Sequence, residues 1–559
     1  MGHFIPISYG SNEIKIFIKY KLTEEELFKD KLKKEINSEV YDSENKTKSF
    51  YKLAKLINEN LSNYKLRYYD EVGNEVKKFK LNNLIDFFKI QANKITADDC
   101  LSIAFNKIIN ARNNSDKSKN LYDSSNTEKS IADINKDIEL KINTNHTTEI
   151  NKTLTSISDN DISVNLRANL TFEKIINNLV KYEYIENENF VPENQFGLGY
   201  TNLMVIISKL VEYMEKYPES SFNSKINLIG IEEPETYMHP QLQELFILHL
   251  NEAIETLLQQ HNKNINSQII LSTHSSHIVN SKIHSGGTFN SINYISTNKA
   301  NAKAVPLSDS KVSPTGTEKD EKDDFKFIKK HIILKASELF FADAAIFVEG
   351  AAENILLPYF ISKDSTLSKK FVSVIPINGA HALVYNNLIK LLGIPVAVIT
   401  DIDIERTESE KNTFEQIESI KDKTTTNKTI KYYNYDSNIL EDGMSYFEDD
   451  NIKVFFQNKE NGYIPTSFEE SIILTNYDNE IVNSALKSIK PRIYKEIVGV
   501  DCDLENNKKF SYKWQCKLDD SKTQFANEIL YEMMVNDDII TLPKYIKDSL
   551  DYIKDQLRK

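Results

Sequence analysis

Two apolar runs in this sequence end in acidic residues, and carboxylates so placed can hold hard cations. The first is AAIFV, Ala344 to Val348, followed by Glu349-Gly350 and the apolar segment AAENILLPYFI. The run reads as a buried strand and the segment after the glycine as a helix. Glu349 then stands at the carboxyl end of the strand. Glu353 follows one helical turn later, so both can face one crevice. The second run is IPVAVITDIDIE, Ile394 to Glu405, a buried strand that runs into Asp401 and Asp403. Their i, i+2 spacing puts both carboxylates on one side of an extended chain. Sites in open α/β sheets form at the carboxyl ends of strands. Carboxylates from two strand ends converge around a cation, because their repulsion otherwise raises their pKa values strongly. Hard oxygen ligands select Mg²⁺ or Mn²⁺ over Zn²⁺. Either cluster alone would also suit a solvated loop.

Three earlier segments carry residues suited to a nucleotide. FGLGYTNLMVIISKLVEYM, from Phe196, sets Gly197 and Gly199 before an apolar helix, Asn202 to Met214. Backbone N–H groups exposed at a helix start favour a phosphate, although a glycine before a helix is also an ordinary turn. KINLIGIEEPETYMHPQLQ, from Lys225, is a buried strand that ends in Glu232 and Glu233. One acid at a strand end can hold Mg²⁺ and the next can orient or deprotonate the attacking water. Without its neighbours the pair would read as an acidic turn. SQIILSTHSSHIV, from Ser267, is another short strand, followed by His274. A histidine there can touch a γ-phosphate or serve the structure alone.

The elements that must position these groups are read from periodicity. Asn12 to Leu22 alternates apolar and polar residues and predicts a half-buried strand. The chain to about Ile108 reads as mixed and mostly helical. From Asn110 to Asp161 it turns polar, as in a disordered insert or a solvated helical arm. NLTFEKIINNLV, from Asn169, predicts a helix, and a Ser/Lys/Asp-rich run with Pro314 and Gly316 marks a boundary. Helical spacing over Phe325 to Ala342 leads into the Glu349 strand. Strand and helix patterns then alternate to about Leu474, with a turn at Asn378-Gly379-Ala380, which implies a mainly parallel sheet. Glu480 to Lys559 reads helical. The expected fold class is α/β. Residues 1–306 are expected to form one α/β domain with an arm at about 110–165, 307–335 a linker, 336–480 a second α/β domain with a mainly parallel sheet, and 481–559 a helical part.

The composition bounds the alternatives. A chain of 559 residues, 40% hydrophobic and 27% charged, fits a globular protein of more than one domain. A net charge of −13 argues against a generic polyanion-coating protein, but not against a nuclease with local basic patches and bound cations. Cys100, Cys502 and Cys516 form no CxxC pair, which speaks against a zinc ribbon and suits a reducing cytoplasm. No apolar run reaches the length of a membrane span and no signal peptide is evident.

The order and spacing of the three earlier segments resemble the signature loop, Walker B strand and switch histidine of ABC-type ATPases. That resemblance implies ATP as a cofactor, sandwiched in a homodimer. It also exposes a departure, because a Walker A loop, GxxxxGK[ST], should precede them, and the chain contains no Gly-Lys dipeptide. Asn12 to Leu22 resembles the strand that follows such a loop. The favoured expectation is that the true N-terminus is missing; the loop could also come from elsewhere, or ATP binding could be impaired. Glu-Gly followed by an Asp-x-Asp strand end is similar to the Toprim pattern of topoisomerases, bacterial primases and related nucleases. Both motif sets in this order resemble the OLD (overcoming lysogenization defect) nucleases.

The resemblance implies further assignments. Glu349 and Glu353 would lie on metals with Asp401 and Asp403. TSFEESI would supply Glu469 as a further ligand, with Glu470 as its rival, and KTQFANEIL would supply Lys522 to stabilise the transition-state phosphate. The implied reaction is phosphodiester hydrolysis of DNA at a site of two Mg²⁺ or Mn²⁺ ions. It carries with it a homodimer or higher oligomer, control by ATP, a helicase partner as in some relatives, and a role in phage defence or DNA processing. Two alternatives stand: a topoisomerase- or primase-like Toprim enzyme, and a non-catalytic, ATP-responsive DNA-binding scaffold.

Overall fold

The computed structural model describes residues 15–37, 54–91, 102–103, 105–110, 124–157, 163–186, 188–195, 197–215, 226–260, 267–298, 301–314, 318–332, 336–377, 382–421 and 423–558. Phe196 and the Asn378-Gly379-Ala380 turn lie outside these residues, as does the start of the predicted Asn12 to Leu22 strand. The chain divides into two compact units, Met1–Met238 with Asn251–Ser272, and His239–Leu250 with Thr273–Lys559.

The first unit holds β1 (Phe17–Leu22), β2 (Tyr64–Tyr69), β3 (Ile85–Gln91), β4 (Glu183–Glu186), β5 (Asn189–Pro192), β6 (Ile226–Glu232) and β7 (Ser267–Ser272). β3, β6 and β7 form a parallel sheet with β6 in the middle. A central parallel strand is covered on both faces, which is why INLIGIE reads as an almost unbroken apolar run. β1 instead pairs antiparallel with β2 and is exposed over all but Leu22. The predicted half-buried strand is therefore corrected: with β2 as its pairing partner among the described residues, alternation in β1 does not produce a buried face. β2 and β3 are the strands in this stretch, whose other described elements are mostly helical, in line with the mixed and mostly helical reading. The described part of the polar arm is helical, Ser124–Ile142 and Thr148–Ile157 joined by a π-helical stretch. Asn135, Asn143 and Asn151 strap the extended backbone at Leu170, Leu166 and Val164 to it, each side-chain amide both donating and accepting at 2.7–3.0 Å.

In the second unit an antiparallel pair, β8 (Ile292–Asn298) and β9 (Asn301–Leu307), precedes a five-stranded sheet. Its strands are β10 (Ala344–Val348), β11 (Val372–Pro376), β12 (Val396–Ile399), β13 (Tyr446–Asp449) and β14 (Ile452–Phe455), in the order β11-β10-β12-β14-β13. All pairings are parallel except β13 with β14. β10 and β12 are buried along their whole length. Successive side chains alternate faces, so Ala344, Ile346 and Val348 join one core while Ala345 and Phe347 join another. The first core packs against the helix Ala351–Lys363 and the C-terminal helices through Leu356, Ile472, Trp514, Phe525 and Ile546. Helices occupy most of the chain from Glu480 to Arg558. The chain runs from β10 outward to β11 and returns across β10 to β12. That reversal opens a crevice at the carboxyl ends of β10 and β12.

Candidate active site

Val348 pairs with Ile399, so Glu349 and Thr400-Asp401 emerge side by side one step beyond the sheet. The Glu349 carboxylate accepts from the Thr400 hydroxyl at 2.6 Å and from the Asp401 N–H at 2.9 Å. After Thr400, Ile402 and Ile404 turn into a small apolar core, while Asp401 and Asp403 join the other acids. Asp403 has φ +45°, in the left-handed region, so the turn is not a simple continuation of the strand.

Gly350 caps the next helix with an extended backbone, φ −121° and ψ 174°. Its role is space. A Cβ there would stand 2.7 Å from Oε2 of Glu353, one turn into the helix. The missing side chain lets that carboxylate fold back towards the strand end. Glu353 is 3% exposed, and burial, then Glu469 and Glu349, push its carboxyl up to about 8. Burial and the carboxylates of Glu349, Glu353, Glu469 and Asp403 hold Asp401 well above the usual carboxylate range. Asp403 is raised to about 6, by burial and then Glu349, against the side-chain hydrogen bond from Asn427.

The helix Phe468–Thr475 brings two adjacent buried acids. Glu469 belongs to the cluster: it acts on Glu353 and Asp401, and its Oε2 lies 3.8 Å from Lys522 Nζ. Burial raises the Glu469 carboxyl, with Lys522 opposing. Glu470 points elsewhere. Its oxygens accept from the Thr466 N–H at 2.7 Å, the Thr466 hydroxyl at 3.1 Å and the Ser511 hydroxyl at 3.0 Å. Lys522 opens the helix Lys522–Asn536. Burial lowers its pKa, but Glu469, Asp401 and Asp519 together outweigh that and raise it. The structure thus brings Glu349, Glu353, Asp401, Asp403, Glu469 and Lys522 together and leaves Glu470 out.

Sequence reasoning missed the residues that hold the acids. Gln457, just past β14, donates to Asp401 Oδ1 at 2.5 Å and accepts from the Ile402 N–H at 2.7 Å. Tyr545 lies 3.3 Å from the same amide and is 1% exposed. Burial, then Asp401 and Glu353, push its phenol far up. Asn427 and Thr400 complete this set. An amide or hydroxyl in a polar stretch carries no pattern that separates it from loop residues. Only the position of Thr400 beside Asp401 was a signal. Among the described residues no group of three or more His, Cys, Asp or Glu side chains is closed up to metal-coordination distance. The acids are near enough to raise one another's pKa, while oxygens of Glu349, Asp401 and Asp403 engage protein donors.

The first unit carries its own acidic strand end. Glu232 closes β6, with Lys89 Nζ at 2.7 Å and the Gln91 amide at 3.1 Å. Glu233 adopts φ +46° and donates its N–H to the Ser272 carbonyl at 2.9 Å. Gly199, in the helix Leu198–Glu215, comes so close to the loop after Glu233 that a Cβ would meet the Tyr237 carbonyl at 2.7 Å. Gly197 has open space around it. Asn202, fully buried, joins that helix to the loop by donating to the Pro234 and Thr236 carbonyls at 3.0 and 2.7 Å. His274 lies between β7 and the helix Ser276–Gly286, which Ser275 caps.

An α/β unit with carboxylates beyond a central parallel strand, followed by an acidic cluster at the switch point of a second parallel sheet, defines an ATPase joined to a Toprim domain. Residues 4–279 match the AAA ATPase domain family, and residues 340–403 match the family described as Overcoming lysogenization defect protein-like, TOPRIM domain. The chain is 49% identical over 555 residues to Endonuclease GajA of Bacillus cereus (strain HuB5-5), covering 98% of this chain and 79% of that relative. The chain belongs to the OLD family of ATPase–Toprim nucleases. A solved protein, Stu0660 of Streptococcus thermophilus, aligns with 47% of this chain and 69% of its own at 13% identity, with a TM-score of 0.22, too low for any inference.

Proposed function

We propose that this protein is a DNA endonuclease that hydrolyses phosphodiester bonds at the acidic cluster with Mg²⁺ or Mn²⁺, under the control of its ATPase unit. The observation that carries this reading is the charge imbalance at the sheet's switch point. Five acids, Glu349, Glu353, Asp401, Asp403 and Glu469, stand against one ammonium, Lys522. Burial and mutual repulsion raise the pKa values of Glu353, Asp401 and Asp403, so as an all-protein arrangement the cluster resists ionising. An all-oxygen donor set with surplus negative charge fits hard divalent cations, and the same five acids would hold them. The chemistry such cations supply is stabilisation of charge on the attacking and leaving oxygens of a phosphodiester.

The chain's own groups do the rest. Lys522 Nζ, at the rim of the cluster, offsets charge that develops on the phosphate. Gln457 and Thr400 hold Asp401 and Glu349 in fixed orientations. Tyr545, near Asp401 and Glu353, is buried and hydrogen-bonded, so this tyrosine is not poised to attack a phosphodiester. Glu232, Glu233, Gly197 and Gly199 of the first unit would serve the nucleotide, as would His274 by its likeness to a switch histidine, with ATP controlling access to the nuclease through a homodimer or higher oligomer. The division of labour is ATPase over 1–306, linker over 307–335, nuclease over 336–480 and a completing helical part over 481–559. A role in phage defence or DNA processing, in the cytoplasm and beside a helicase, belongs to this reading. Among the described residues no helix is long and apolar enough to cross a membrane.

The test is supercoiled plasmid incubated with the full chain and Mn²⁺. Nicking that vanishes in Asp401→Ala supports the proposal. No cleavage with Mg²⁺ or Mn²⁺, with or without ATP, overturns it.

A further inference from the structure

Asn427 stands 24 positions beyond Asp403 in sequence, yet reaches three parts of the acidic turn. It is 2% exposed. Its Oδ1 caps the helix Lys428–Tyr433, accepting from the N–H groups of Thr429 at 2.9 Å and Ile430 at 3.1 Å. Its Nδ2 points the other way. It donates to Oγ1 of Thr400 at 2.9 Å, to the carbonyl of Asp401 at 2.9 Å and to Oδ2 of Asp403 at 3.2 Å. The Thr400 hydroxyl that accepts from it donates onward to Glu349 at 2.6 Å. One amide therefore touches Asp401 and Asp403 directly and Glu349 through one hydroxyl.

The surrounding segment supports this grip. Thr425 donates to the Ile402 carbonyl at 2.6 Å, the Glu405 N–H to the Thr424 carbonyl at 2.9 Å, and the Thr426 N–H to the Asp403 carbonyl at 2.9 Å. These bonds support Asp403 in its left-handed conformation, which costs a residue with a Cβ more than an extended one.

We propose that Asn427 is a positioning residue of the nuclease site: its amide holds Glu349, Asp401 and Asp403 facing one shared cation site. This rests on the reading given under Proposed function. Residues behind metal-binding side chains fix the orientation of those side chains, and their loss typically lowers metal affinity 10–100-fold.

Two replacements separate positioning from helix capping. Serine is as good a cap as asparagine but has no amide to reach the acids; alanine removes both functions. Mn²⁺ binding to the full chain, without DNA, is measured by calorimetry, and metal-free melting by circular dichroism. Asn427→Ser is expected to melt close to the parent and to raise the Mn²⁺ dissociation constant at least about tenfold. Parental Mn²⁺ affinity in Asn427→Ser, with loss only in Asn427→Ala, makes the residue a cap alone and overturns the proposal. If Asn427→Ser does not fold, Thr400→Val breaks the onward bond to Glu349. A comparable loss of affinity there supports the proposal and parental affinity overturns it. A parent chain that binds no Mn²⁺ overturns the cation reading itself, and with it this inference.

Discussion

Replacing Gly350 with alanine tests whether the Glu-Gly pair is there for space. The backbone at Gly350 is extended, so alanine fits it without torsional strain. The conflict is with one side chain. The new Cβ would lie 2.7 Å from Glu353 Oε2 and 3.6 Å from its Cδ. Carbon and oxygen settle at about 3.5 Å, so the carboxylate must retreat by about 0.8 Å. Glu353 is 3% exposed and set among other acids, so any such retreat takes its carboxylate off the position it holds in the cluster. Catalytic groups tolerate about 0.5 Å of displacement, and a shift near 1 Å can reduce the rate about 100-fold. Overpacking a core site destabilises by about 1–3 kcal/mol. Gly350→Ala is therefore expected to fold, to melt a few degrees lower, and to nick supercoiled plasmid about 100-fold more slowly in Mn²⁺. Nicking rates are read on gels over time and Mn²⁺ affinity by calorimetry. A Gly350→Ala protein with parental nicking and Mn²⁺ affinity would show that the glycine does not make room for the carboxylate, and would refute the geometry argued for Glu353.

Two further predictions follow from other parts of the molecule. The metal-free protein should lose stability as pH rises. Glu353 and Asp403 titrate at about 8 and about 6 in the folded state, against ordinary values of 4.5 and 3.8. From about pH 4 to pH 8 the unfolded chain has released protons that the folded chain still holds, so stability falls with pH across that window. Melting curves should show this fall, with Mn²⁺ restoring more at pH 8 than at pH 5; a flat profile without metal would count against the strained cluster. In the ATPase unit, Asn202→Ala leaves the buried Pro234 and half-buried Thr236 carbonyls without their shared donor, a loss of about 1–3 kcal/mol. It should lower the melting temperature of that unit and weaken any effect of ATP on nicking, while unchanged melting and ATP response would show that the loop after Glu233 needs no such tie.

Much of the nuclease sheet was legible because its central strands announce themselves. AAIFV and VAVI are continuous apolar runs, as required of strands covered on both faces, and each stops at an acid. The alternation Asp401, Ile402, Asp403, Ile404 also predicted which residues would face out. Glu469 and Lys522 were legible only through likeness to a family, because nothing in TSFEESI or KTQFANEIL says which helix end meets which strand end. Asn427 and Gln457 were not legible, and Thr400 only by its place beside Asp401. Their function depends on distances across 24 to 56 positions of chain, which periodicity does not encode. The exposed β1 shows the opposite failure, since alternation was present and a buried face was not.

Glu469 and Glu470 show what distinguishes a structural acid from one available for chemistry. The two are adjacent, both buried, and both raised by burial. One position along a helix turns a side chain by about 100°, so they cannot serve the same place. Glu470 meets a hydroxyl and an N–H from Thr466 and a hydroxyl from Ser511, with Arg406 adding a favourable charge. Its charge is matched within the protein, and it fastens the helix start to its neighbours. Glu469 faces Lys522, which also answers to Asp401 and Asp519. One lysine does not neutralise Glu469 together with Glu349, Glu353, Asp401 and Asp403. The unmatched charge, rather than burial or a raised pKa, marks the side of the helix that turns towards the cluster proposed to hold a cation.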